Sequence, residues 1–156
     1  MSQSILKLLE GEDRRSIGRA DRAAAMVAQD AELFPELIAG LWSGDALVRM
    51  RAADAAEKAT RGNREVLQPY KRELLELMAE TGEQELRWHL AAMIPRLRLN
   101  ARERQLAASS VAPNGLNRAA RVSERIYPQN TVTFCLSLGL LRQRKPGTIV
   151  FDSQED

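Results

Sequence analysis

Apolar positions recur every three or four residues in several segments of the chain and are separated by short polar breaks. Within residues 34–59, one apolar stripe occupies 37–41, a Ser-Gly-Asp break follows at 43–45, and a second stripe runs through 48–59. This spacing is typical of the buried face of an amphipathic helix, and a cluster of small polar residues favours a turn. The pattern predicts a helix, a tight turn and a second helix.

The same plan recurs further along the chain. Apolar residues in 74–78 are followed by a Thr-Gly-Glu break at 81–83 and by a second stripe in 86–97. The pair Val48-Arg49 matches the pair Leu86-Arg87, 38 positions later. Recurrence at such a fixed spacing is typical of repeat architectures.

A more degenerate unit precedes these two, and the beginning of another follows them. The first has apolar residues in 5–9, a break at 11–13 and a second stripe in 17–27. After the last complete unit, Asn100 can cap a helix that begins at Ala101 and has Leu106 and Val111 on its apolar face. Residues 1–111 are therefore predicted to form about three helix pairs and the first helix of a fourth.

The repeat pattern stops near Ser109. Residues 112–156 contain turn formers, a β-favouring run and a polar end. They are predicted to be a divergent tail that is irregular, weakly β-prone or disordered. Two origins remain open: a frameshifted or recombined C-terminus, and a genuine tail that covers the end of the helical array.

The helix pairs resemble HEAT repeats over roughly Ser4 to Val111. The resemblance is carried by the leucine pair in each first helix, by Pro35, by the acidic residue in each turn and by the two apolar-arginine pairs. Residues 13–25, 48–59 and 85–97 are also similar to segments of small uncharacterised bacterial HEAT-repeat proteins. The resemblance implies an all-α fold, a short right-handed α-solenoid of antiparallel helix pairs.

Arg49 and Arg87 occupy equivalent places in two units. The resemblance implies that an arginine at this place binds a carboxylate or carbonyl near the turn and ties neighbouring units together. Asp45 and Glu83 each lie four residues before an arginine, so each pair can also meet on one helix face. We favour a structural role for these four residues over ligand contact.

A second set of polar residues lies opposite the small-residue stripe of each second helix. Arg51, Asp54 and Lys58 share one face, and His89 and Arg96 occupy matching places in the next unit. The resemblance places second helices on a concave surface, where these five residues would form a partner-binding strip. A merely solvated face is an equally good interpretation.

The composition restricts the possible partners. Lys and Arg number 23 against 21 Asp and Glu, which leaves a net charge of +2 and argues against a strongly electrostatic nucleic-acid binder. Cys135 is the only cysteine, so no intrachain disulfide forms, and without a recognisable leader at Met1 we expect a cytoplasmic protein. The longest apolar run, 131–141, is shorter than the roughly 20 residues of a membrane-spanning helix.

The sequence contains no recognisable catalytic or metal-binding motif. His89 is the sole histidine and has no cysteine or carboxylate cluster at ligand spacing, so we expect no metal site. Phosphate-binding glycine loops, nucleophile elbows and dinucleotide fingerprints are also missing. We expect no catalytic residues and no cofactor, and we expect Trp42 and Trp88 to pack in the core or between units.

These expectations favour a non-catalytic scaffold that binds an unidentified protein partner. The alternative is a nucleic-acid-binding protein related to the DNA repair glycosylases that are built from HEAT-like repeats. Its candidate contacts are Arg51, Lys58, Trp88 and Arg96. A third possibility is end-to-end self-association through an uncovered terminal unit.

Overall fold

A computed structural model describes residues 4–11 and 18–111, together with the strand segments 141–145 and 148–151. Residues 4–111, where described, consist of helices and the loops between them, with no strand among them. Most of the predicted tail at 112–156 lies outside the described residues, as does part of the break at 11–13.

Seven α-helices lie within the described part of the chain. They are α1 (Ile5–Leu9), α2 (Gly18–Gln29), α3 (Phe34–Ala39), α4 (Ala46–Ala59), α5 (Lys71–Glu80), α6 (Gln84–Met93) and α7 (Ala101–Val111). Four 3-10 segments extend or precede them, at Ala31–Leu33, Gly40–Trp42, Arg64–Tyr70 and Ile94–Arg96. Strands β1 (Leu141–Lys145) and β2 (Thr148–Phe151) pair antiparallel. None of the described helices is long and apolar enough to cross a membrane.

The 3-10 segments that precede α3 and α5, and helix α7 itself, each begin at an Asp or Asn side chain. Asp30 and Asn63 each accept a hydrogen bond from the backbone N–H two residues on, at 3.0 and 3.2 Å. Asn100 accepts from the N–H of Glu103 at 2.9 Å, and the Glu103 carboxylate accepts from the N–H of Asn100 at 2.8 Å. These caps satisfy backbone donors that have no partner inside the helix. The predicted cap at Asn100 is confirmed.

The helix ends also follow local chemistry. Asp45 caps the start of α4 by accepting from the N–H of Leu47 at 2.8 Å. At Pro95 the α-helix gives way to a 3-10 turn, because proline supplies no backbone donor. The chain therefore leaves α6 within one turn of Met93.

The helices pack as consecutive pairs. The second helices contact one another in chain order, since α4 lies against α2 on one side and α6 on the other. The first helices contact their own second helix, and α5 also contacts α7. The core consists of large side chains that are almost fully buried: Ile5, Leu9, Phe34, Leu37, Leu41, Leu67, Leu74, Met78, Leu86, Leu90, Met93 and Ile94.

Small residues allow the helices to approach one another closely in the middle of this stack. On α4, four alanines of the predicted second stripe and its flank, at 52, 53, 55 and 56, have no exposed surface. Gly40 faces the same region, where a Cβ atom would lie 2.8 Å from both Ala52 Cβ and Leu6 Cδ2. Three helices therefore meet at a point that leaves no room for a methyl group.

Three apolar residues depart from their predicted positions. Trp42 is 50% exposed and Trp88 is 42% exposed, so neither is a core residue. Trp42 follows Ile38 by four residues, but the tighter 3-10 turn at Gly40–Trp42 rotates it off the buried face. On α7 the buried positions are Ala107 and Ala108, and Leu106 is 52% exposed instead of forming the apolar face.

We predict that Gly40→Ala lowers the free energy of unfolding by about 1–3 kcal/mol, because the added methyl group overpacks the contact with Ala52 and Leu6. Urea denaturation measures the change. Gly44→Ala is the matched control, since a Cβ there meets nothing within 4 Å, and should change stability by less than about 0.5 kcal/mol. Equal effects of the two substitutions would contradict the packing argument.

Candidate functional site

Arg49 connects two successive turns. Its Nη1 donates to the carbonyl oxygen of Ser43, in its own turn, at 2.5 Å, and its Nε donates to Glu83 Oε1, in the following turn, at 2.8 Å. The pairing along the helix that we expected with Asp45 gives way to these contacts, because the Asp45 side chain caps α4. The guanidinium fork suits this bridging role.

Arg87 repeats the arrangement one unit later. Its Nη1 donates to the carbonyl oxygens of Thr81 at 3.0 Å and Met78 at 3.2 Å, and its Nη2 donates to the carbonyl oxygen of Ser110 on α7. Its expected partner Glu83 binds Arg49 instead. Each arginine thus joins its own turn to the next unit.

Arg51 does not lie on an open surface, which corrects its assignment to the partner-binding strip. The residue is 2% exposed, and its Nη1 donates to the carbonyl oxygens of Leu9 at 2.8 Å and Gly11 at 3.4 Å. Helix α1 ends at Leu9. The last carbonyl oxygens of a helix receive no hydrogen bond from an N–H of the same helix. Arg51 satisfies these groups and joins α4 to the end of α1.

Lys58 and Asp54, two other strip residues, bind each other and a residue of α2. The Nζ of Lys58 lies 2.7 Å from Asp54 Oδ2 and 2.5 Å from Asp21 Oδ1. Burial alone would lower the pKa of Lys58, but the hydrogen bonds to Asp21 and Asp54 outweigh it and raise the pKa above its ordinary value. The lysine is charged at neutral pH and is shared between two carboxylates.

Arg96 also binds within the stack instead of presenting its charge to a partner. Its Nη1 donates to the carbonyl oxygen of Glu57 at 2.6 Å and to Thr60 Oγ1 at 2.8 Å, and its Nη2 donates to the Glu57 carboxylate. Arg61 approaches the same carboxylate at 2.6 Å. The reason for the misassignment is that Arg96 lies in the 3-10 turn after α6 and points back toward α4.

Glu57 is the centre of this cluster, and our sequence interpretation missed it. Its side chain is 8% exposed. Burial alone would raise the pKa of Glu57, but the hydrogen bonds from Arg61 and Arg96 hold the pKa below its ordinary value. The spacing of Glu57 and Arg61, four residues apart on a helix, is the sequence signal that points to this pair.

His89 is half-buried between α6 and α4. Burial lowers its pKa, against the opposing influence of the Asp54 and Glu57 carboxylates. The imidazole is therefore neutral at pH 7. Among the described residues no group of three histidine, cysteine or acidic side chains is arranged to hold a metal ion.

The strip predicted from the sequence is thus largely an internal ladder of charges between the second helices. Three of its members, Arg51, Lys58 and Arg96, bind groups on neighbouring units. Asp54 and His89 keep part of their surface exposed. The large apolar side chains that the described stack presents to solvent are those of Trp42, Trp88 and Leu106.

Comparison of the chain with protein-family models, with curated proteins and with solved structures yields no match.

We predict that the Glu57 cluster makes stability depend on pH below neutrality. A carboxyl whose pKa is lowered by folding stabilises the protein above its ordinary pKa of 4.5, and this contribution is lost as the pH falls from there through the folded pKa. Glu57→Gln should cost about 2 kcal/mol at pH 7, the scale of a hydrogen bond to a charged group, and progressively less below pH 4.5. Urea denaturation at a series of pH values measures both quantities.

The matched control for Glu57 is Glu76→Gln. Glu76 forms a surface pair with Arg72, whose side chain is 86% exposed, and such pairs contribute little to stability. Loss of stability in Glu76→Gln as large as in Glu57→Gln would contradict the role of the buried cluster.

We predict that His89 titrates below the ordinary histidine value of 6.5 in the folded protein. Because the chain has a single histidine, one imidazole resonance in a proton NMR titration reports it directly. In urea the midpoint should return to about 6.5. A folded-state midpoint at or above the unfolded one would show that burial does not dominate at this residue.

Proposed function

We propose that this protein is a non-catalytic scaffold for protein–protein interaction, built as a HEAT-like right-handed α-solenoid. Three features support the architecture: consecutive helix pairs, second helices in contact in chain order, and an arginine at the same position of two second helices that binds the preceding turn. Stacked pairs of this kind each contact only their neighbours and present an extended surface to a partner.

The observation that carries the proposal is the exposure of tryptophan on a stack in which the candidate contact cations Arg51, Lys58 and Arg96 are held by internal contacts. Trp42 is half exposed beside the turn that Arg49 holds in place. Tryptophan is enriched among the residues that dominate protein–protein binding energies, and a rigid support lowers the entropy cost of binding. A protein partner that buries Trp42 fits this surface. We place the interaction in the cytoplasm, in keeping with the single cysteine.

The pairing of the cations favours a protein partner over nucleic acid. Phosphate binding needs cations that are free to replace counterions. Of the proposed contacts, Arg51 is buried, Lys58 lies between two carboxylates and Arg96 binds Glu57. Releasing any of them to a phosphate would leave a carboxylate or carbonyl of the stack without its donor.

We predict that Trp42→Ala weakens the binding of a protein partner by at least about 30-fold. The partner would be isolated by affinity capture from the organism that encodes the chain, then purified and titrated calorimetrically against wild-type and variant protein. Arg72→Ala, at a highly exposed position away from the turns, is the matched control and should leave the affinity unchanged. A captured protein that binds Trp42→Ala as tightly as wild type does not use the proposed surface.

A fluorescence anisotropy titration with duplex DNA tests the alternative. Under the scaffold proposal, no saturable binding occurs at low salt. Binding that falls steeply as salt is added would instead indicate phosphate contacts and overturn the preference for a protein partner.

A further inference from the structure

Few packing contacts fix the turn that carries Trp42. We call residues 42–45 the Trp42 turn. Trp42 is 50% exposed, Gly44 and Asp45 are exposed, and a Cβ atom at Gly44 would meet nothing within 4 Å. A segment with few buried contacts owes its order to its hydrogen bonds. The orientation of Trp42 therefore depends on the polar contacts of this turn.

The Trp42 turn is held by hydrogen bonds of its own and by one side chain from α4. The N–H of Ser43 donates to the carbonyl oxygen of Gly40 at 3.1 Å, and the N–H of Asp45 donates to Ser43 Oγ at 3.2 Å. From α4, Arg49 Nη1 donates to the carbonyl oxygen of Ser43. This carbonyl belongs to the residue directly after the tryptophan, so Arg49 anchors the backbone that carries the indole.

Arg49 is itself held by Glu83. The Glu83 Oε1 atom accepts from Arg49 Nε at 2.8 Å and lies 2.7 Å from Nη2, while Nη1 reaches Ser43. Because the guanidinium is planar and rigid, a bond to one acceptor also places the remaining donors for the other. The two acceptors therefore hold the guanidinium together, and loss of either one loosens its contact with the other.

The Glu83 side chain is available for this contact. Glu83 directly precedes α6, but its side chain makes no capping hydrogen bond there. Among the described residues, the hydrogen bond and ion pair of its carboxylate are with Arg49. Asp45, at the equivalent place one unit earlier, instead caps α4. The Glu83 carboxylate thus binds across the junction between two units.

The next unit repeats the arginine contact without a tryptophan. Arg87 binds a carbonyl of its own turn and the carbonyl of Ser110 on α7. Its acceptor on the following unit is a backbone carbonyl, where Arg49 has a carboxylate, and the position equivalent to Trp42 is Glu80. The arginine contact is therefore a feature of the stack, whereas the charged acceptor and the exposed indole occur together at the first of these two turns.

We propose that Glu83 is a positioning residue of the partner-binding surface: through Arg49 it holds the Trp42 turn in the orientation that a partner meets. This inference rests on the scaffold function proposed above. Since Glu83 directly precedes α6, the orientation of the indole is coupled to the junction between α4 and α6. Coupling of this kind is reciprocal. A partner that buries Trp42 also stabilises the junction, and loosening of the junction weakens the binding of the partner.

NMR relaxation of the isotope-labelled full chain tests the positioning role without a partner. We expect backbone order parameters of about 0.85 in the Trp42 turn of the wild type and below about 0.6 in Glu83→Ala. Glu83→Gln keeps an oxygen acceptor without the charge, so its values should lie between these two. Arg49→Lys should behave like Glu83→Ala, because an ammonium group has no planar fork to bridge both acceptors.

Two controls distinguish loosening of the turn from a general loss of structure. Order parameters within α4 and α6 should stay unchanged in Glu83→Ala. Glu85→Ala is the matched variant, since the Glu85 side chain is exposed and forms no hydrogen bond or ion pair with the described residues. It should leave the Trp42 turn as ordered as in the wild type.

The affinity for a partner, captured as described above, provides a second measurement. Glu83→Ala should weaken binding about 5-fold, the effect of a side chain that must be ordered on binding, and Glu85→Ala should not. Unchanged order of the Trp42 turn in Glu83→Ala overturns the inference, even if a partner buries Trp42. So does an equal loss of order in Glu85→Ala. Loss of order confined to Glu83→Ala and Arg49→Lys supports the positioning role whatever protein is captured, and a captured protein that ignores Trp42 counts against the scaffold proposal alone.

Discussion

The structure depends on arginines that bind carbonyl oxygens where helices end. Arg49 and Arg87 each donate to a carbonyl of their own turn and to a group on the next unit, and Arg51 does the same for the end of α1. A helix end leaves carbonyls that the helix itself cannot satisfy. Because each side chain also binds a group on a neighbouring unit, these contacts fix the position of one pair relative to the next. The apolar core can then be formed largely by aliphatic side chains and alanine.

A second set of polar contacts acts between the second helices. Lys58 connects α4 to α2 through Asp21, and Arg96 connects the end of α6 to α4 through Glu57. The Lys58–Asp21 contact is open to water on the side of Asp21, so its net contribution is modest, whereas the Arg96–Glu57 contact is largely shielded. Both contacts restrict sliding of the helices. The charged face of α4, which carries Glu57 and Lys58, is thus neutralised by side chains of neighbouring helices.

Helical periodicity predicted the helix pairs, because an apolar face must be buried whatever covers it. The caps at Asp30 and Asn63 also correspond to a sequence signal, because Asp and Asn are both preferred where a helical segment begins. The site was harder to predict. Arg51 and Lys58 share a polar face of their own helix, but whether that face meets solvent depends on where α1 and α2 lie. Burial between units is set by long-range packing, and no local pattern in α4 encodes it.

The contact at Gly40 has a consequence for how the sequence can vary. Residues 6, 40 and 52 belong to three different helical segments, yet they share one small volume. A larger residue at any of them requires a smaller one at another, and the glycine at position 40 cannot be replaced by a smaller residue. A substitution that adds volume at position 40 therefore needs a compensating loss of volume at position 6 or 52.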